Sequence, residues 1–126
     1  MDTNVLVSSL LSPGPPAAIA DLISESKITP FFSKPILREY KDVLSRRKFG
    51  FSPSQVTRLL NDLIRTGMAV ESEQFSSITM IHEDDRKFFD AAYRSKAYLI
   101  TGNLKHFPRK TFIVSPMQFL TIYHKL

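Results

Sequence analysis

The stretch from His82 to Asn103 constrains this chain more than any other. It opens with His82-Glu83-Asp84-Asp85-Arg86-Lys87-Phe88-Phe89-Asp90-Ala91-Ala92 and closes with Ala97-Tyr98-Leu99-Ile100-Thr101-Gly102-Asn103. The first part has helical spacing, and the second is a short apolar run that reads as a buried strand. On a helical wheel Asp85 shares a face with Phe88, Phe89 and Ala92. A carboxylate on the buried side of an element is costly unless something compensates it. A metal ion, a basic partner or the helix N-terminus are the candidates. Asp84 stands at the expected N-cap, and capping accounts for it. Capping does not account for Asp85, whose neighbours on the wheel are apolar.

Around this unit, strand and helix signals alternate. The run Val5 to Leu11 is apolar and too short to classify by period. Ser12-Pro13-Gly14-Pro15-Pro16 breaks it, and Pro16 opens a predicted helix over 17–26. A short strand is predicted over 28–32, with Pro30 arguing for an edge or irregular position. Ser33 caps a predicted helix over 34–46 whose stripe is Ile36, Leu37, Tyr40, Val43 and Leu44. Glu39 lies at the margin of that stripe. A further helix is expected over 54–66 and a weak strand over 68–70, with 71–81 as a connection into the acidic helix. Strands at 98–100 and 111–114 and a helix opened by Ser115-Pro116 complete the chain. Long crossovers between strands predict an α/β fold, a mainly parallel sheet with helices on its faces. In such sheets sites lie at the carboxyl ends of strands, so Asn103 and Asp85 are expected to face one crevice.

The 126 residues suit a single domain over 1–126, and 43% apolar composition excludes a disordered chain. The absence of cysteine excludes disulfides and thiolate metal sites. No apolar run approaches the roughly 20 residues of a membrane span, and no signal peptide is evident, so a cytoplasmic protein is expected. The net charge is +5, and eight Lys and Arg follow Asp85 against a single acid, Asp90. A basic half beside an acidic cluster suits a polyanionic substrate whose cleavage needs metal.

Four motifs together resemble the PIN domain family, in particular the VapC-related toxins of toxin–antitoxin systems. They are Asp2-Thr3-Asn4-Val5-Leu6, Ser33-Lys34-Pro35-Ile36-Leu37-Arg38-Glu39-Tyr40, Asp84-Asp85-Arg86-Lys87-Phe88 leading into Ala91-Ala92, and Leu99-Ile100-Thr101-Gly102-Asn103-Leu104-Lys105-His106-Phe107. The resemblance covers essentially the whole chain. It implies a three-layer α/β/α fold with a mainly parallel central sheet. Two departures stand out. Only Met1 precedes Asp2, where the family has an apolar first strand, so that strand is apparently truncated. Asn103 stands where the family has a fourth acid, bringing an amide oxygen but no charge.

The resemblance further implies a Mg²⁺- or Mn²⁺-dependent endoribonuclease, with RNA as substrate, a small antitoxin protein as partner and a homodimeric state. Asp2 and Asp85 would be the principal metal ligands, and Glu39 would complete the acidic cluster directly or through water. Asn103 would bind metal water or the scissile phosphate. Thr3, Asn4 and Thr101 would support the carboxylates by hydrogen bonds. Without metal, close carboxylates should repel and some pKa values should rise. Asp90 is expected to be solvated, and His82 and His106 too isolated for a zinc site. Phe31, Phe32, Phe88 and Phe89 are expected in the core. The competing expectation is a degenerate PIN fold that binds RNA or protein without cutting.

Overall fold

Serine followed within two residues by proline sets the start of three helices, because the serine oxygen caps while proline fits the first turn. Ser33 accepts from the Ile36 N–H, and Ser52 and Ser115 form reciprocal capping boxes with Gln55 and Gln118. The computed structural model describes residues 1–72 and 78–126. Its helices are α1 (Thr3–Leu11), α2 (Pro15–Ser24), α3 (Lys34–Leu44), α4 (Pro53–Thr66), α5 (Arg86–Ser95) and α6 (Pro116–His124). Its strands are β1 (Phe31–Phe32), β2 (Met68–Ala69), β3 (Leu99–Ile100) and β4 (Ile113–Val114). The connection expected over 71–81 falls in part on 73–77, outside the described residues.

The fold is the expected three-layer α/β/α, and every strand pair is parallel. Among the described residues the sheet is divided into two pairs, β1 with β2 and β3 with β4. The Pro30 and Phe32 carbonyls accept the Met68 and Val70 N–H groups at 2.9 and 2.8 Å, so the backbone of Phe31 faces away from β2. Leu99 and Thr101 donate to Phe112 and Val114 at 2.8 and 3.0 Å, so Ile100 faces away from β4. Between these two edges lies an apolar cavity of about 200 Å³, bounded by Phe31, Ile36, Phe88 and Ile100 among others. The expected first strand is represented by one contact at this seam, the Asp2 N–H donating to the Ile100 carbonyl at 2.9 Å.

The apolar run after Asp2 forms α1, capped by the Asp2 carboxylate. Val5, Leu6 and Val7 are all buried, so the run shows no amphipathic period. Helix α2 packs against α1, α4 and α6, while α3 lies on α1, α4 and α5. Helix α5 reaches both β1 and β3. Gly67 allows the turn from α4 into β2, because a Cβ there would stand 2.5 Å from the Leu63 and Pro30 carbonyls.

Two expectations about the acidic helix are corrected. Asp84 is not its cap: a 3₁₀ turn over Glu83–Asp85 precedes α5, and Asp85 occupies the N-cap position. Asp90 is not solvated but 4% exposed, because α5 buries five consecutive residues, Phe88 to Ala92, instead of one stripe. Its charge is felt by the Arg86 guanidinium, whose pKa is raised first by the Glu83 carboxylate and to a lesser degree by Asp90. Phe32, Phe88 and Phe89 are core residues, and Phe31 is partly buried.

Candidate active site

Asp2 reaches the site from the N-terminus of α1. Its Oδ1 accepts the Val5 N–H at 3.3 Å, as a helix cap does. Its Oδ2 accepts the hydroxyl of Thr101, which is fully buried at the end of β3. Burial raises the Asp2 pKa, and nearby Glu39 adds to the rise; Thr101 and Val5 oppose it. Asp85 closes the 3₁₀ turn that runs into α5, has helical backbone and makes no capping hydrogen bond. Its Oδ2 stands 3.7 Å from His106 Nδ1 instead. Burial raises the Asp85 pKa as well, with the His106 and His82 rings opposing and the Asp2 and Glu39 charges adding. The Asp2 and Glu39 charges act on Asp85, and that of Glu39 on Asp2, so the three carboxylates lie within electrostatic reach of one another around an acidic notch. The rise in carboxylate pKa expected from repulsion occurs at Asp2 and Asp85, although desolvation is its largest cause.

Glu39 is held differently. Its Oε2 accepts the Thr3 hydroxyl, and its Oε1 pairs with Lys87 Nζ at 2.9 Å. Lys87 also donates to the Asp84 carbonyl and stands 5.2 Å from the centre of the Phe88 ring. Among the described residues, no three His, Asp or Glu side chains stand close enough to enclose one metal ion. Glu39 is instead engaged by Thr3 and Lys87. The donor chemistry nonetheless fits Mg²⁺ or Mn²⁺. Such ions take hard oxygen ligands, and Mg²⁺ is ordinarily bound through one or two carboxylates, water and substrate phosphate. Asp2 and Asp85 are two such carboxylates, both biased against their charged form, and a cation would relieve that bias.

The supporting residues divide. Thr3 holds Glu39 and Thr101 holds Asp2. Asn4 is exposed on the first turn of α1, and no hydrogen bond from it to a carboxylate is present among the described residues. Asn103 is exposed just beyond β3, and its backbone N–H donates to Thr101 Oγ1 at 3.0 Å. His82 and His106 are not isolated from each other: their ring centroids lie 4.7 Å apart. Lys87 is the site residue that sequence reasoning missed. Its signal was its place two residues after Asp85, on the first turn of an acidic helix. Thr101→Val removes a buried donor while keeping the shape. It is expected to drive the Asp2 pKa further up and to cost about 1–3 kcal/mol in chemical denaturation. A carbon-13 NMR titration of the Asp2 carboxyl would check the first effect.

Parallel strand pairs flanked by helices, one ending beside the Asp2 carboxylate, define an α/β domain. The PIN domain family matches residues 1–105, and the chain belongs to that family. PIN domains are commonly nucleases acting on nucleic acid, typically with divalent metals. The chain is also similar to an uncharacterized protein of Methanocaldococcus jannaschii, at 35% identity over 107 residues, covering 82% of this chain and 68% of that one. No solved structure matches the chain.

Proposed function

We propose that this protein is a metal-dependent endoribonuclease, and that it serves as the VapC-like toxin of a toxin–antitoxin pair. One observation carries the nuclease reading: the half-buried Asp85 carboxylate, where the 3₁₀ turn runs into α5, makes no capping hydrogen bond and feels the Asp2 and Glu39 charges. When bound, a divalent ion supplies charge neutralisation at the phosphodiester and a water of lowered pKa.

The protein's own groups do the rest. Asp2 and Asp85 would hold the ion, with Asp2 oriented by Thr101 on one oxygen and the Val5 N–H on the other. Asn103 offers an uncharged amide to the phosphate or to a water. Lys87 keeps Glu39 at the edge of the notch and places a cation where phosphate oxygens arrive. The toxin reading rests on the resemblance of the four motifs, and predicts a neighbouring gene for a small DNA-binding antitoxin. A homodimer in solution is part of the same proposal.

The Lys87–Glu39 pair favours a second reading, a PIN fold that binds RNA or protein without cutting. Incubation of the purified protein with several RNAs and Mn²⁺, beside Asp85→Asn, separates the two. Cleavage by the parent and not by the variant supports the nuclease. Cleavage by neither supports the binding module.

A further inference from the structure

We infer that the groove formed by the loop between β3 and β4 is the track for single-stranded nucleic acid leading into the acidic notch; this rests on the nucleic-acid reading above. The groove has a volume of about 640 Å³. Its floor includes Phe107 and Ile113, which are 4% and 9% exposed. Lys105, Arg109 and Lys110 line it and are exposed, and no ion pair to any of them is present among the described residues. Residues 91–126 carry six Lys and Arg and no Asp or Glu, so no nearby acid in that segment competes for these cations.

The 3₁₀ turn Leu104–His106 joins the groove to the site. Leu104 and Lys105 line the groove, while His106 of the same turn stands 3.7 Å from Asp85. A strand whose phosphates follow Arg109, Lys110 and Lys105 is thereby led to the turn whose His106 stands beside Asp85. Over that buried floor Leu104, 43% exposed, offers apolar surface beside the cations, which suits a single strand whose bases need a face to lie on while its backbone needs positive charge. The partner is a polyanion, and the arrangement of cations around an apolar floor favours nucleic acid over an acidic polypeptide.

The test measures binding rather than cleavage, so it is independent of the nuclease proposal. Fluorescence anisotropy with a labelled oligouridine, in EDTA, gives Kd across a salt series for the full chain. Each lost phosphate contact lowers the slope of log K against log salt by about 0.7 for single strands. The triple variant Lys105→Ala, Arg109→Ala, Lys110→Ala should therefore lose about 2 from the slope, and about 100-fold in affinity near 0.1 M salt. The charge-preserving variant Lys105→Arg, Lys110→Arg should bind like the parent, which guards against a folding defect in the first.

A triple variant with unchanged slope and affinity overturns the inference. So does a triple variant that loses binding to poly-glutamate while its oligouridine slope is unchanged, since the surface then serves an acidic protein. Groove-dependent binding without cleavage would leave this track intact and remove the nuclease instead.

Discussion

Asp85→Asn is expected to abolish metal-dependent cleavage, by roughly 1,000-fold or about 4 kcal/mol at the barrier, while the fold is retained. Asn keeps the shape and one oxygen but not the charge that holds a divalent ion. The same change should raise the melting temperature of the metal-free protein at neutral pH. Burial and the Asp2 and Glu39 charges raise the folded-state pKa of Asp85 above its unfolded value. The folded chain then binds the proton more tightly than the unfolded chain, so this contribution to stability is present in acid and is lost as pH rises through the raised pKa. Asp2, shifted in the same direction, adds to that trend.

Parent and variant should therefore melt together at low pH and diverge as pH rises, the variant higher. Mg²⁺ should raise the melting temperature of the parent alone, by the equivalent of about 1.4 kcal/mol at ten times Kd. Thermal melts in EDTA and in Mg²⁺, across pH, test all three statements. Equal cleavage by both proteins would remove Asp85 from the chemistry, and a variant less stable at neutral pH would overturn the electrostatic account.

Phe89→Ala should be the most destabilising single change near the site. Phe89 is 1% exposed, and its ring centre lies 5.5 Å from that of Phe112 and 6.2 Å from that of Tyr93. It ties α5 to the chain entering β4. Truncating a buried phenylalanine costs about 3–5 kcal/mol, including the cavity left behind. In a domain of this size that lowers the melting temperature on the order of 15 °C. Because α5 carries Asp85 and Lys87, activity should fall at temperatures below the global transition. A loss of only a degree or two would mean that the ring does not secure the helix.

The helices that start with a capping serine were legible in the sequence, since Ser33, Ser52 and Ser115 act within a few residues of themselves. Helix α1 was not, because Val5, Leu6 and Val7 are buried on all sides and leave no period to read. The same physics misplaced Asp90: a wheel assigns it to the outer face, but α5 has no outer face over that span. The partial burial of Asp85 was legible, because its apolar neighbours on the wheel put it on an inner face. The Lys87–Glu39 contact spans two helices and could not be read from either alone. Nor could the pairing of His82 with His106, which depends on how the turn after β3 returns toward α5.

The divided sheet has a mechanical consequence. Asp2 is fastened by backbone and side chain to β3, whereas Glu39 rides on the helix that follows β1. No ladder of backbone hydrogen bonds joins those two halves among the described residues; side-chain contacts, including the Thr3–Glu39 and Tyr40–Met1 hydrogen bonds, hold them in register instead. Side-chain packing permits small sliding displacements that a hydrogen-bonded ladder resists. The spacing between the two acids is thereby set by side-chain contacts, and whatever tightens those contacts also calibrates the notch.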